Sequence, residues 1–143
     1  GIYNMNVSDF LDGMLEIAHQ QLPPELSAFR VARPNKSLIK LHYGLPTTHY
    51  EVWIQKRTQM VELGLHFEGD SAMNKRQMMF FHERLDNIRL CLGPEVNAEN
   101  WVKGWTRIHE TIKLEPLNED FLVDLSFKLS RMIRTLQPMI REL

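Results

Sequence analysis

The chain has 143 residues, 43% hydrophobic and 24% charged, with a formal net charge of −1 and a single cysteine. This is an ordinary globular composition, long enough for one domain (1–143) that buries roughly two thirds of its unfolded surface. It excludes a global electrostatic attraction to nucleic acid or an anionic membrane, an intrachain disulfide framework and a cysteine-based zinc site.

The chain begins at Gly1 rather than Met, which points to a cloning scar or an excised segment and leaves room for a longer natural chain. No secretory signal, long apolar run or lipidation motif is found, so a cytoplasmic setting without membrane attachment is expected.

Ser8 is a candidate cap for a helix from Asp9 to about Gln21, with Phe10, Leu11, Met14, Leu15, Ala18 and Leu22 forming its apolar stripe. Pro23-Pro24 ends it. Between Glu25 and Asn35 two readings stay open: a short helix carrying Leu26, Phe29 and Val31, or a short strand flanked by Phe29 and Val31.

Leu38 to Glu68 then reads as three antiparallel strands, because side chains on a strand alternate between faces. Ile39, Leu41 and Tyr43 share a face, as do Tyr50, Val52 and Ile54, and Val61, Leu63, Leu65 and Phe67. A slip of one residue would turn every apolar side chain outward, so register can be argued. With Arg57-Thr58 at the second tip, Ile54 faces Val61, Val52 faces Leu63 and Tyr50 faces Leu65. The turn at Gly44 to Thr48 sets Tyr43 against Tyr50, Leu41 against Val52 and Ile39 against Ile54.

Past Phe67, the capping residues Asp70 and Ser71 open a helix to Leu92, with Met78, Phe81, Leu85 and Ile88 on its inner face, stopped by Gly93-Pro94. Cys91, within that helix, is expected to act as a small buried hydrophobe. Trp105 to Leu114 reads as a strand with a short partner around Asn100 to Lys103. Asn118 caps the last helix, Leu117 and Leu122 form a hydrophobic staple, and Pro138 should kink or end it. The expected fold is a two-layer α+β domain in the order α-β-β-β-α-β(β)-α. A mainly antiparallel sheet of four or five strands carries the helices on one face.

The other face is the informative surface. The register places Trp53 between Lys40 and Glu62, Glu51 between His42 and Gly64, and His49 opposite His66. Trp53 would expose a large apolar area there, so an interaction face of Trp53, Lys40, His42, Glu51, Glu62 and His66, used for self-association or a protein partner, is the first functional reading. Imidazole and carboxylate also suit zinc, iron or manganese, giving a candidate metal site of His42, His49, His66 and Glu51 or Glu68.

Cations near the first strands (Arg30, Arg33, Lys36, Lys56, Arg57) and on the last helix (Lys128, Arg131, Arg134, Arg141) make phosphate contacts to nucleic acid a further candidate. Basic residues late in a helix also answer its macrodipole. Glu62-Leu63-Gly64 and Glu68-Gly69-Asp70 lack the lysine of a nuclease acid-x-Lys element, and His66-Phe67-Glu68 lacks the paired cysteines of zinc deaminases. Phosphate loops, nucleophile elbows and His-Glu-x-x-His motifs do not occur, so no cofactor and no catalytic residue is assigned.

Tyr50-Glu51-Val52-Trp53, Glu62 to Glu68, Asn74-Lys75-Arg76, Leu92-Gly93-Pro94-Glu95, Trp105-Thr106-Arg107-Ile108 and Leu136-Gln137-Pro138 together resemble an uncharacterised bacterial domain family. Its members occur alone or attached to restriction and endonuclease-like proteins. The resemblance runs from the first strand onward and implies an α+β accessory domain linked to DNA processing, with no catalytic residues to carry over. The expectation is therefore a non-enzymatic interaction module. The alternatives are a DNA-associated accessory domain and a metal-dependent enzyme.

Overall fold

The computed structural model describes residues 4–143. The first helix, α1 (Val7–Gln21), starts earlier than Ser8 implied: Asn6 is the cap, its side-chain oxygen accepting from the Asp9 N–H at 2.8 Å. The entry is fixed because the Met5 N–H donates to the Leu117 carbonyl, 2.8 Å away. Both readings of the next stretch are realised in turn, as a single helical turn α2 (Pro24–Ser27) and an exposed strand β1 (Arg30–Asn35).

Strands β2 (Leu38–His42), β3 (Thr48–Gln55) and β4 (Met60–Phe67) form the predicted meander. With β5 (Asn97–Asn100) and β6 (Thr106–Lys113) they complete a six-stranded antiparallel sheet in the order β1-β2-β3-β4-β6-β5, one or two strands more than expected. The β3–β4 register is as argued, Ile54 pairing with Val61, Val52 with Leu63 and Tyr50 with Leu65.

The β2–β3 register differs by two residues: Leu41 pairs with Tyr50 and Ile39 with Val52. A two-residue offset keeps every side chain on its expected face but changes its neighbour. Tyr43 leaves the ladder to donate its hydroxyl to the Leu26 carbonyl at 2.7 Å, and the Ile54 N–H bonds Ser37 instead. Lys40 consequently stands beside Glu51, not beside Trp53.

The helix from Ser71 to Leu92 is two helices, α3 (Ser71–His82) and α4 (Leu85–Leu92). At the break the Arg84 N–H bonds Phe81 in a tighter turn, while its guanidinium donates to the Phe80 carbonyl and lies 3.6 Å over the Phe80 ring. Gly93, at φ 104°, ends α4 as expected. Cys91 is exposed there, because Ile88 and Leu85 take the inner face. The partner of β6 lies earlier than predicted: Val96 and Ala98 turn inward, and a short 3-10 turn, Val102–Gly104, occupies the rest. The last helix, α5 (Glu119–Ile140), is capped by Asn118 and runs through Pro138. In the last turn the proline forfeits a single N–H, and no long stretch of helix depends on it.

One apolar cluster joins these parts, with Ile39, Val52, Leu63, Leu65 and Ile108 of the sheet against Phe10, Met14, Leu125 and Leu129 of α1 and α5. Among the described residues, no helix is long and apolar enough to cross a membrane. The opposite face of the sheet is left to its own side chains.

Candidate metal centre

Alternation along the strands dictates that face: Lys40 and His42 from β2, His49, Glu51 and Trp53 from β3, Glu62, Gly64 and His66 from β4, Arg107 and His109 from β6, Glu99 from β5. Register then stacks them in rows across the sheet. One row runs Lys40, Glu51, Gly64, His109, and another His49, His66, Arg107, Glu99.

This face is not the loosely solvated surface its polarity suggests. His49 is 2% exposed, His66 and Glu62 1%. Polar groups buried to that degree need partners, and they find one another. His66 Nε2 lies 2.9 Å from Glu62 Oε1, Arg107 donates to Glu99 at 2.8 Å, and His109 Nε2 lies 2.8 Å from Glu99. Trp101 covers the Arg107 guanidinium at 3.5 Å. Gly64 makes the close approach possible, since a Cβ there would sit 2.6 Å from His109 Cβ and 2.8 Å from Glu62 Oε1.

Within this network His49, Glu51, His66 and Glu68 each bring one ligand atom into a group whose members all lie within 4.8 Å of one another. His49 Nε2 is 2.8 Å from Glu51 Oε1 and 3.7 Å from Glu68 Oε2, and His66 Nδ1 is 3.6 Å from Glu68 Oε2. Ligands about 2.1 Å from a tetrahedral zinc are roughly 3.4 Å apart, so small side-chain shifts would close the set around an ion.

The second nitrogen of each ring decides the chemistry. His49 Nδ1 is 2.7 Å from the Pro46 carbonyl, which can only accept, so this nitrogen donates, and Nε2, 2.8 Å from Glu51 Oε1, is the atom turned toward the carboxylates. His66 makes its short contact through Nε2 to Glu62, and its buried Nδ1 is turned toward Glu68, 3.6 Å away. A backbone carbonyl behind one ring and a carboxylate behind the other is the usual outer support of metal-bound histidine.

The charges lean the same way. Four carboxylates, Glu51, Glu62, Glu68 and Glu99, meet two permanent cations, Lys40 and Arg107. Without a metal, protons must make up the difference. Burial alone would lower the His66 pKa, but hydrogen bonds to Glu62 and Glu68 and the charges of Glu62 and Glu51 outweigh it and push it up to about 9. Burial would raise Glu62, yet its bonds to His109 and His66 hold it down at about 2. Glu68 and Glu99 are lowered despite burial, Glu68 by its bond to His66 and Glu99 by its bond to Arg107.

Of the residues singled out by sequence, the structure thus gathers His49, His66, Glu51 and Glu68. His42 stays apart, its Nδ1 accepting the Gly44 N–H in its own hairpin. Lys40 joins the cluster, 3.7 Å from Glu51 and 3.8 Å from Glu68. Trp53 is half-buried at one end of the sheet, lining a groove of about 450 Å³ with Ser37, Lys56 and Arg57. Lys36 lies in the β1–β2 turn beside that groove. Arg33 is tied to Asp12 and Ser8 of α1, and Lys128 to Glu110. Lys128 and Arg131 line a different groove on α5, with Arg134 further along that helix, so the basic residues form no continuous track. His109, Glu99 and Arg107 were not anticipated; the outward parity of His109 and Arg107 on β6 was the available signal.

Comparison of the chain with protein-family models, with curated proteins and with solved structures gives no match.

Proposed function

We propose that this protein is a non-catalytic accessory module whose uncovered sheet face binds one divalent transition-metal ion through His49, Glu51, His66 and Glu68. The observation that carries the reading is the pair of buried imidazoles, His49 held from behind by Pro46 and presenting Nε2 to Glu51 and Glu68, and His66 held by Glu62 and presenting Nδ1 to Glu68. Two histidines and two carboxylates suit zinc, manganese or iron. Four protein ligands fill a tetrahedral sphere, which supports a structural role over catalysis.

The test is metal content and affinity of untagged protein, stripped with chelator and titrated with Zn²⁺ and Mn²⁺. One tightly bound equivalent is expected, lost in His49→Ala and in His66→Ala but retained in His42→Ala. Stripped protein that takes up neither ion, or a His42→Ala variant as defective as the other two, would overturn the assignment.

A second reading, association with DNA, is favoured by the groove that sets the Trp53 ring beside Lys56 and Arg57. Aromatic stacking next to cations is how single strands are held. Binding to a fluorescent oligonucleotide should weaken with salt and be lost in Lys56→Glu with Arg57→Glu; binding indifferent to both substitutions would remove this reading.

A further inference from the structure

An exposed apolar patch lies away from the polar sheet face, on the outer side of α5. Phe127 is 48% and Val123 47% exposed, and with Leu92 of α4 and Met132 they line a groove of about 540 Å³. Exposed aromatic and aliphatic side chains aligned along a helix mark a surface that another element covers.

The charges on this stripe say what that element is. Asp120, Asp124, Phe127, Arg131 and Arg134 follow one another at three- and four-residue steps, all exposed. The acids, Glu119, Asp120 and Asp124, lie before Phe127, and the bases, Lys128, Arg131 and Arg134, after it. The helix macrodipole accounts for acids in the first turn and bases in the last, but its effect fades within a turn of each end. Asp124 and Arg131 stand in the middle of a 22-residue helix.

We infer that α5 pairs antiparallel with α5 of a second copy of this chain, about a two-fold axis at Phe127. In that arrangement Phe127 packs on the partner subunit's Phe127, and Asp120 and Asp124 face the partner subunit's Arg134 and Arg131. Symmetry makes each Asp–Arg contact twice and the Phe127 contact once, on the axis. A charge pattern that is its own complement when reversed is what an isologous interface requires, and antiparallel macrodipoles add to it. The helix is about 33 Å long, a small interface even with α4 alongside, so association should be concentration-dependent.

The test is solution mass by sedimentation equilibrium over roughly 1 µM to 1 mM, a range that spans weak association. The wild type should move from the 16.9 kDa chain mass toward twice that value. Phe127→Glu should remain monomeric; its exposure means the fold should survive, which circular dichroism checks. Asp124→Arg and Arg131→Asp should each weaken association at least tenfold, and the double exchange Asp124→Arg with Arg131→Asp should restore it. A wild type monomeric throughout, a dimer that persists in Phe127→Glu, or a double exchange as defective as the single ones would overturn the inference.

Discussion

Gly64 shows how closely one position can be constrained by its neighbours rather than by its own backbone. Its strand conformation is open to any residue, but an added Cβ would meet His109, Glu62 and the Ile108 carbonyl at 3.0 Å or less. Gly64→Ala should therefore destabilise the fold by about 1–3 kcal/mol, the usual cost of overpacking, as read by urea denaturation. Tyr43 carries a pH dependence of its own. Burial pushes its hydroxyl up to about 12 from the ordinary 10, and Tyr50 is raised further by burial and by Tyr43. A group raised in this way contributes full stability below pH 10, which is lost as pH rises through the folded value. Stability should fall between about pH 10 and 12, and fall less in Tyr43→Phe, measured by denaturant titration across that window. At this scale the sequence disclosed which residues share the polar face. It could not disclose that they interlock, because ring orientation follows from Pro46 and Gly44 in the hairpin, which have no bearing on alternation.

Among the elements, period-two alternation was a strong signal, and β2, β3 and β4 lie where it put them. Their register was legible where the turn was short. Between β2 and β3 it moved by two residues, since Tyr43 found a better partner in Leu26 outside the ladder than opposite Tyr50. The α3–α4 break was hidden for a related reason. The apolar spacing from Met78 to Ile88 continues across it, and only the capture of Phe80 by Arg84 interrupts the backbone. Caps were readable to within a turn, because Asn, Asp and Ser compete for the role. Asn118 is the one held from both sides, its side chain accepting from Phe121 while Leu117 anchors the N-terminal segment. Asn118→Ala should cost about 1 kcal/mol and show as a lower thermal midpoint with unchanged helical content at room temperature.

For the molecule as a whole, a metal bound only by the folded state stabilises it by mass action. At about a hundred times the dissociation constant the gain is roughly 2.7 kcal/mol, a rise in Tm of roughly 6–10 °C for a chain of this size. Thermal melting with Zn²⁺ and then with excess chelator should show the rise and its reversal, with neither in His66→Ala. The α5 surface inferred above as a pairing surface was not singled out by the sequence. Trp53 drew attention because it is large, yet it is half-buried in a groove, whereas Phe127 sits within an ordinary amphipathic helix and is left outside by the way α5 packs.

The two margins of the sheet carry a different consequence. β1 is exposed along its whole length, but its pairing with β2 is irregular between Ala32 and Asn35 and it contains Pro34, which has no N–H to offer. At the far margin β5 is four residues long and gives way to a 3-10 turn. Neither rim presents the long, regular row of amides and carbonyls on which a foreign strand could add. Association through side chains of the kind inferred for α5 would therefore not bring with it the backbone-templated growth that turns an open sheet into a fibril.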